Sequence, residues 1–205
     1  MSTTIKTRLT RDERVEQLLD VAETRFAEQG YDATSIDGIA RAAGISRPIV
    51  YEHFGSKEGI YLACMRRARA ALDQALATSV TGVEEAEHQL AAGIDATFSF
   101  IESEPARWAI LFNGVALTGA VAQEAMRLRF ATVGVIADLL HAVNPERPRQ
   151  EAEAFAHALS GAGEQLERWW RQNPDIPRQA VVDYLFRFAW SGLSQLMPER
   201  GGQSK

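Results

Sequence analysis

Residues 45–61 read ISRPIVYEHFGSKEGIY. Aromatic residues alternate there with Arg47, His53 and Lys57, a crowding that neither a plain core helix nor a plain surface helix requires. Ser46 stands at a helix N-cap position, and Pro48 is tolerated in the first turn that follows. Val50 and Phe54 lie four apart and define an inner face, which leaves Arg47 and Tyr51 on the outer one. The segment FGSKEG breaks this helix, and Ser56 is placed to cap a long helix through Ala77.

Upstream, Val15, Leu18, Leu19, Ala22 and Phe26 make one apolar stripe of helical period. Thr10 and Glu13 have capping-box spacing at its start, and Gly30 is a natural stop. Thr34 or Ser35 then caps a short helix with Ile36, Ile39, Ala40 and Ala43 inward. Gly44 suits the tight turn before Ser46 because it can adopt the left-handed conformation. A short helix, a glycine turn and a second short helix, braced by a first long one, spell a helix-turn-helix. Its second helix would present Arg47, Pro48, Ile49 and Tyr51 to base edges. Tyr51 and Lys57 offer donors to phosphates, and the amides near Ser56 and Lys57 suit an anion.

The stretch GYDATSIDGIARAAGISRPIVYEHFGSKEGIY, residues 30–61, resembles the TetR family of bacterial transcriptional repressors. The GY-x-A-T-S-x-x-x-IA-x-x-AG-x-S half and the Y-x-HF-x-S-K-E half occur together at family spacing. The resemblance covers the first 60 to 70 residues or so, and beyond them only helix number and lengths are similar to the family. It implies that Thr34 and Ser35 touch phosphate, that Ser46, Arg47, Pro48 and Ile49 face the bases, and that Tyr51, His53 and Lys57 hold the DNA backbone. Pro48 departs from the small residue common at its position and has no amide to donate. Polar base readout then rests on Arg47, with apolar contact to thymine methyls from Pro48 or Ile49. Glu52 would repel phosphate and is expected to face away from DNA.

The whole-chain charge of −5 does not by itself suggest a nucleic-acid binder, but its distribution does not oppose one. Residues 1–69 hold 11 Lys/Arg against 10 Asp/Glu, and the remainder 11 against 17, so the acidic excess lies in the C-terminal two thirds. No apolar run is long enough for a membrane span, the N-terminus lacks an apolar signal core, and the lone Cys64 cannot form an internal disulfide. A cytoplasmic protein is expected. His53, His88, His141 and His157 are scattered, with no metal-binding motif, G-x-S-x-G or P-loop, so neither an enzyme nor a cofactor is implied. Cys64 reads as a buried small hydrophobe. RRAR at 66–69 reads as a solvated basic face. A helix-turn-helix used only for protein contact is the remaining alternative, and salt-dependent duplex binding separates it from a DNA binder.

The rest of the chain is also helical, so the expected class is all-α: a three-helix DNA-binding domain over residues 1–55, with an arm at 1–9, and a helical ligand-binding and dimerisation domain over 56–205. Thr81 and Glu84 suggest a second capping box, and Pro105 opens a short helix, PARWAILFN. Helices are expected at about 119–142, 148–172 and 177–197. The last two carry wide apolar stripes, from which Phe155, Leu159, Gly163, Leu166, Trp170, Leu185, Phe188 and Leu193 are assigned to a homodimer interface. Phe98, Phe100, Trp108, Phe112 and Phe130 are expected to line a largely apolar effector cavity. Asp95, Glu102, Glu124 and Asp138 nearby would also permit a cationic effector. The expected partners are duplex DNA, a small molecule and a second copy of the chain, and no membrane.

Overall fold

The computed structural model describes residues 9–112 and 117–193. These form nine α-helices and, among the described residues, no strand: α1 (Arg11–Ala33), α2 (Ile36–Ala42), α3 (Arg47–Phe54), α4 (Lys57–Val80), α5 (Ala86–Ser103), α6 (Pro105–Phe112), α7 (Gly119–Val143), α8 (Arg149–Arg171) and α9 (Arg178–Leu193). All of the expected arm at 1–9 but Leu9, together with Asn113 and the extension of α9 toward 197, lies outside the described residues. Among the described residues, no helix is long and apolar enough to cross a membrane.

The chain divides into two compact units, residues 1–68 with 106–125, and residues 69–105 with 126–205. In the first unit, Leu18, Leu19, Ala22 and Phe26 of α1 are buried as their period requires, together with Ile36, Ile39 and Ala40 of α2 and Val50 of α3. From α4, Ile60, Tyr61, Cys64 and Met65 complete this core. The α1 capping box is present: the Thr10 amide donates to Glu13 Oε2 at 2.7 Å, and the Glu13 amide to Thr10 Oγ1 at 3.3 Å. Gly30 interrupts α1 at φ 76°. Cys64 is fully buried and its thiol is pushed well above the ordinary range, first by burial, so it is a packing group.

The RRAR segment is not a solvated face. Arg67 binds Glu23 through Nε at 2.8 Å, Glu16 at 2.8 Å and Asp20 at 2.8 Å, which ties α4 to α1. Glu23 itself is only 6% exposed and also receives Arg107 Nε of α6 at 3.2 Å. Tyr61 adds a second tie to α6 by donating to the Ile110 carbonyl at 3.1 Å. In the second unit Arg69, 4% exposed, binds Asp73 and the Thr132 hydroxyl. Only Arg66 keeps an exposed side chain, and it pairs with Glu124. Helical fanning placed these arginines on different faces, and two of those faces found carboxylates from other turns.

In the second unit Ala189 and Leu193 of α9 form a core cluster against Leu90, Leu140, Phe155 and Leu159, and Val133, Ala137 and Ala156 form another. Arg178 secures the start of α9 to α5 through Asp95 and Glu102. The expected box at Thr81 is absent. Thr81 donates to the Ala77 carbonyl at 2.8 Å, and α5 begins later, after Glu85.

Candidate nucleic-acid interface

The helix-turn-helix is built by α2 and α3. Ser35 caps α2, accepting from the Gly38 amide at 3.0 Å. The turn closes through Gly44, at φ 69°, with the Ile45 amide donating to the Ala40 carbonyl at 3.0 Å. Ser46 occupies the N-cap of α3 but makes no side-chain cap bond, so its hydroxyl stays available. Val50 anchors α3 in the core, and Ser46, Arg47 and Pro48 are exposed on the opposite side while Ile49 is half-buried. Gly59 is required at the next helix start, because a Cβ there would stand 1.9 Å from the Phe54 carbonyl oxygen. Ser56 accepts from the Gly59 amide at 3.0 Å.

The outer face carries an organised cation. Arg47 Nη2 donates to the Tyr51 hydroxyl at 3.1 Å, its guanidinium lies 5.2 Å from the Tyr51 ring centroid, and Nη1 approaches Asp37 Oδ2 at 3.5 Å. The Tyr51 hydroxyl and then the Asp37 charge hold Arg47 further in its charged form. Tyr51 is 38% exposed and, as an acceptor from Arg47, keeps its own proton to donate. Lys57 does double duty: Nζ donates to the Asp32 carbonyl at 3.1 Å and lies 4.3 Å from the Tyr31 ring centroid. It therefore joins the start of α4 to the last turn of α1 while two of its ammonium protons remain for other acceptors. His53 is half-buried, with its ring 6.1 Å from that of Phe54.

Thr34 is a correction. It is 2% exposed, and its hydroxyl lies 2.7 Å from the Gly30 carbonyl and 3.1 Å from that of Arg25. The side chain closes the end of α1 rather than facing outward. Asp37, paired with Arg47 across ten residues, was not foreseen from the sequence. No local periodicity links the first turn of α2 to the first of α3.

The other predicted sites are rearranged as well. Phe98 and Phe100 are buried in the second unit, where Phe98 meets Trp170 edge-on at 5.7 Å. Trp108 and Phe112 are buried in the first and stack at 3.9 Å. Phe130 is exposed beside His157. The five thus divide between the two units. A cleft in the second unit is lined instead by Leu140, His141, Asn144, Arg147, Pro148, Glu151 and Ala152. The acids offered for a cationic effector are paired with arginines: Asp95 and Glu102 with Arg178, Glu124 with Arg66, and Asp138 with Arg149 at 2.5 Å.

Of the eight residues assigned to the dimer interface, Leu185 and Leu193 are buried within the chain, and Phe155 and Leu159 pack against the α9 cluster. Gly163 faces Leu185, Leu166 is half-buried, and Trp170 donates from its indole to the Ile176 carbonyl at 2.8 Å. Phe188, 72% exposed, is the one left fully outward; Tyr184 of the same wide stripe joins it, as does Trp169, which the sequence reading missed. The wide α9 stripe is two stripes: Val181, Leu185 and Ala189 face inward, Tyr184 and Phe188 outward.

The pattern described as "Bacterial regulatory proteins, tetR family" matches residues 18–64, and that described as "Tetracyclin repressor-like, C-terminal domain" matches residues 86–192. The chain belongs to the TetR family. The HTH-type transcriptional activator FasR of Mycolicibacterium smegmatis is 30% identical over 192 residues, which cover 92% of this chain and 87% of FasR. A TetR-like regulator from Rhodococcus sp. RHA1 is 30% identical with a TM-score of 0.75, over 91% of this chain and 99% of that one. The Staphylococcus aureus negative regulator IcaR is 44% identical, but over only 46 residues, 22% of this chain and 25% of IcaR. AibR, solved with isovaleryl coenzyme A and operator DNA, shares the TetR fold at 18% identity and a TM-score of 0.72, over 86% of this chain and 97% of AibR. Membership makes the protein a DNA-binding transcriptional regulator and not an enzyme, with α2 and α3 as its helix-turn-helix.

Proposed function

We propose that this TetR-family protein binds a palindromic operator as a homodimer in the cytoplasm and is released from it by a small, largely apolar molecule, acting as a repressor. The observation that carries the reading is the exposed, pre-arranged group of Ser46, Arg47, Pro48 and Tyr51 on a helix anchored from behind by Val50. Arg47 reads a guanine, Pro48 and Ile49 contact thymine methyls, and Ser35, Tyr51, His53 and Lys57 hold phosphates. Two copies are required because one recognition helix reads few base pairs, and half-sites about 34–36 Å apart match one DNA turn. Trp169, Tyr184 and Phe188 supply the apolar face for the second copy. The domain boundary is proposed near residue 55, with the effector held by the helices that follow.

A second reading, activation, is favoured by the likeness to FasR along nearly the whole chain. The binding chemistry is the same in both; the sign of regulation follows from where the operator lies relative to the promoter.

The test is to sequence the DNA fragments that the purified protein retains from its host genome, and then to measure affinity for the enriched fragment against salt. A palindrome bound with a steep salt dependence is expected. Retention of no preferred sequence overturns the reading. Effector candidates are then scored by quenching of Trp108, Trp169, Trp170 or Trp190, all outside the helix-turn-helix. Linkage requires operator DNA to weaken a true effector by the same factor that the effector weakens DNA.

A further inference from the structure

We propose that Asp37 is a specificity-setting residue, which acts by holding Arg47 away from phosphates while leaving its remaining donors free for a base that accepts them. The inference rests on the reading of Arg47 as base-facing and deepens it.

The geometry is a three-group array on the exposed face. Arg47 is fixed at one end by the Tyr51 hydroxyl, 3.1 Å from Nη2, and at the other by Asp37 Oδ2, 3.5 Å from Nη1. Both carboxylate and guanidinium are more than half exposed, so the pair does little for stability. Its consequence is for ligand choice. A guanidinium carries five donors in a planar fork. Two of them match O6 and N7 of guanine, which leaves others for Tyr51 and Asp37. On operator, one fork therefore serves the base while the array stays intact.

On other sequences the balance differs. Asp37 lies in the first turn of α2, two residues after the Ser35 cap, where DNA backbone is expected to approach. Its carboxylate is short and cannot swing away from a phosphate as a glutamate would. Without a guanine acceptor, Arg47 has two choices. It can stay with Asp37, forgoing a phosphate, or leave, exposing Asp37 to the phosphates unpaired. Either choice weakens non-specific binding, and neither applies to the operator complex. Asp37 is thus a positioning residue that lowers background affinity instead of adding a contact. An acid in the first turn of α2 suits the helix dipole, but on this face it also opposes the electrostatic attraction on which DNA binding depends.

The experiment uses full-length protein, the operator selected from the genome and a scrambled duplex of equal length. Asp37→Asn should tighten binding to the scrambled duplex by about 3–10-fold and steepen its salt slope by about one, as Arg47 reaches a phosphate. Operator affinity should change by less than about threefold, so the specificity ratio falls. Asp37→Ser should behave alike, guarding against an effect of one particular side chain, and Asp37→Glu should restore part of the ratio. The same Asp37→Asn change in an Arg47→Ala background should leave the ratio unaltered, since the effect passes through Arg47. An unchanged ratio in Asp37→Asn and Asp37→Ser, or an equal gain with and without Arg47, overturns the proposal. Should Arg47→Ala alone leave base preference intact, the base-facing reading of Arg47 fails first and takes the proposal with it.

Discussion

The unit containing α1, α2 and α3 and the unit containing α5, α8 and α9 are made of the same material, amphipathic helices with apolar residues three and four apart. They differ in how their polar residues are used. In the first, a threonine closes α1, serines cap α2 and α4, a glycine turns the chain at φ 69°, and an arginine lies against a tyrosine hydroxyl. Each role needs one residue type at one position. In the second, apolar stripes carry most of the architecture, and many residues of similar size would serve. A stripe states that a face is to be buried, but not whether the covering surface is in the same chain or in another.

The largest expected effect tests that ambiguity on α9. Leu185 and Phe188 lie three residues apart, one buried at 6% and the other exposed at 72%. Leu185→Ala should destabilise the protein by about 2–5 kcal/mol in urea unfolding, because it opens a cavity in the second unit. Phe188→Asp should leave the monomer folded, abolish the dimer in sedimentation and reduce palindrome affinity by two orders of magnitude or more. If Phe188→Asp unfolds the chain while Leu185→Ala does not, the division of α9 into an inner and an outer stripe is wrong.

What was legible follows the same line. The class, the nine helices and the helix-turn-helix could be read because capping residues, breaks and periodicity are local signals. Most of the outer face of α3 could be read because the residues of an eight-residue helix have little choice of direction once Val50 is inward. Thr34 was misassigned because Thr34 and Ser35 are equally good caps in sequence, and only packing shows which hydroxyl turns back to the Gly30 carbonyl. Arg66 and Arg67 were misread because their carboxylates, Glu16, Asp20, Glu23 and Glu124, come from distant turns, whereas the partner of Arg69, Asp73, lies only four residues on. Leu185 and Leu193 went to the wrong interface for the reason already given.

Breaking the ion cluster should cost the first unit somewhat less. Glu23→Ala would leave Arg67 with Glu16 and Asp20 and remove an acceptor of Arg107. A loss of about 3 kcal/mol is expected, as for a buried pair broken on one side. Glu16→Ala, at the exposed end of the same cluster, should cost at most about 1 kcal/mol. Equal effects in denaturant titrations would mean that burial does not grade the cluster.

The next effects concern affinity rather than folding. Arg47→Ala should cost about 1–3 kcal/mol of operator binding and relax preference at one base pair in each half-site. Lys57→Ala should weaken all sequences alike and lower the salt slope by about one per site. Because Lys57 also bonds the Asp32 carbonyl, a small drop in melting temperature should accompany it, and Lys57→Arg should recover part of both. A sequence-dependent loss in Lys57→Ala would assign it to base readout instead.

The smallest effect separates the two capping boxes that the sequence offered on equal terms. Thr10 and Glu13 exchange bonds at the start of α1, whereas Thr81 bonds backward to Ala77 and leaves Glu84 out. Thr10→Ala should therefore lower the melting temperature by about 2–4 °C, as expected for loss of one N-cap in a chain of this size, and Thr81→Ala should change it by less. Acid gives a second reading. The Thr10 amide, and then its hydroxyl, hold the Glu13 carboxyl below its ordinary value of 4.5. A carboxylate depressed in the folded state adds stability above its unfolded pKa, and that stability is lost as pH falls through the folded one. The difference between wild type and Thr10→Ala should thus be constant at neutral pH and shrink as pH drops below about 4.5, because protonation of Glu13 weakens its bond from the Thr10 hydroxyl, which the variant lacks, while the backbone amide bond is common to both. The difference for Thr81→Ala should show no such dependence. A pH-independent penalty at Thr10 would mean that its hydroxyl acts only by accepting from the Glu13 amide and not by donating to the Glu13 carboxylate.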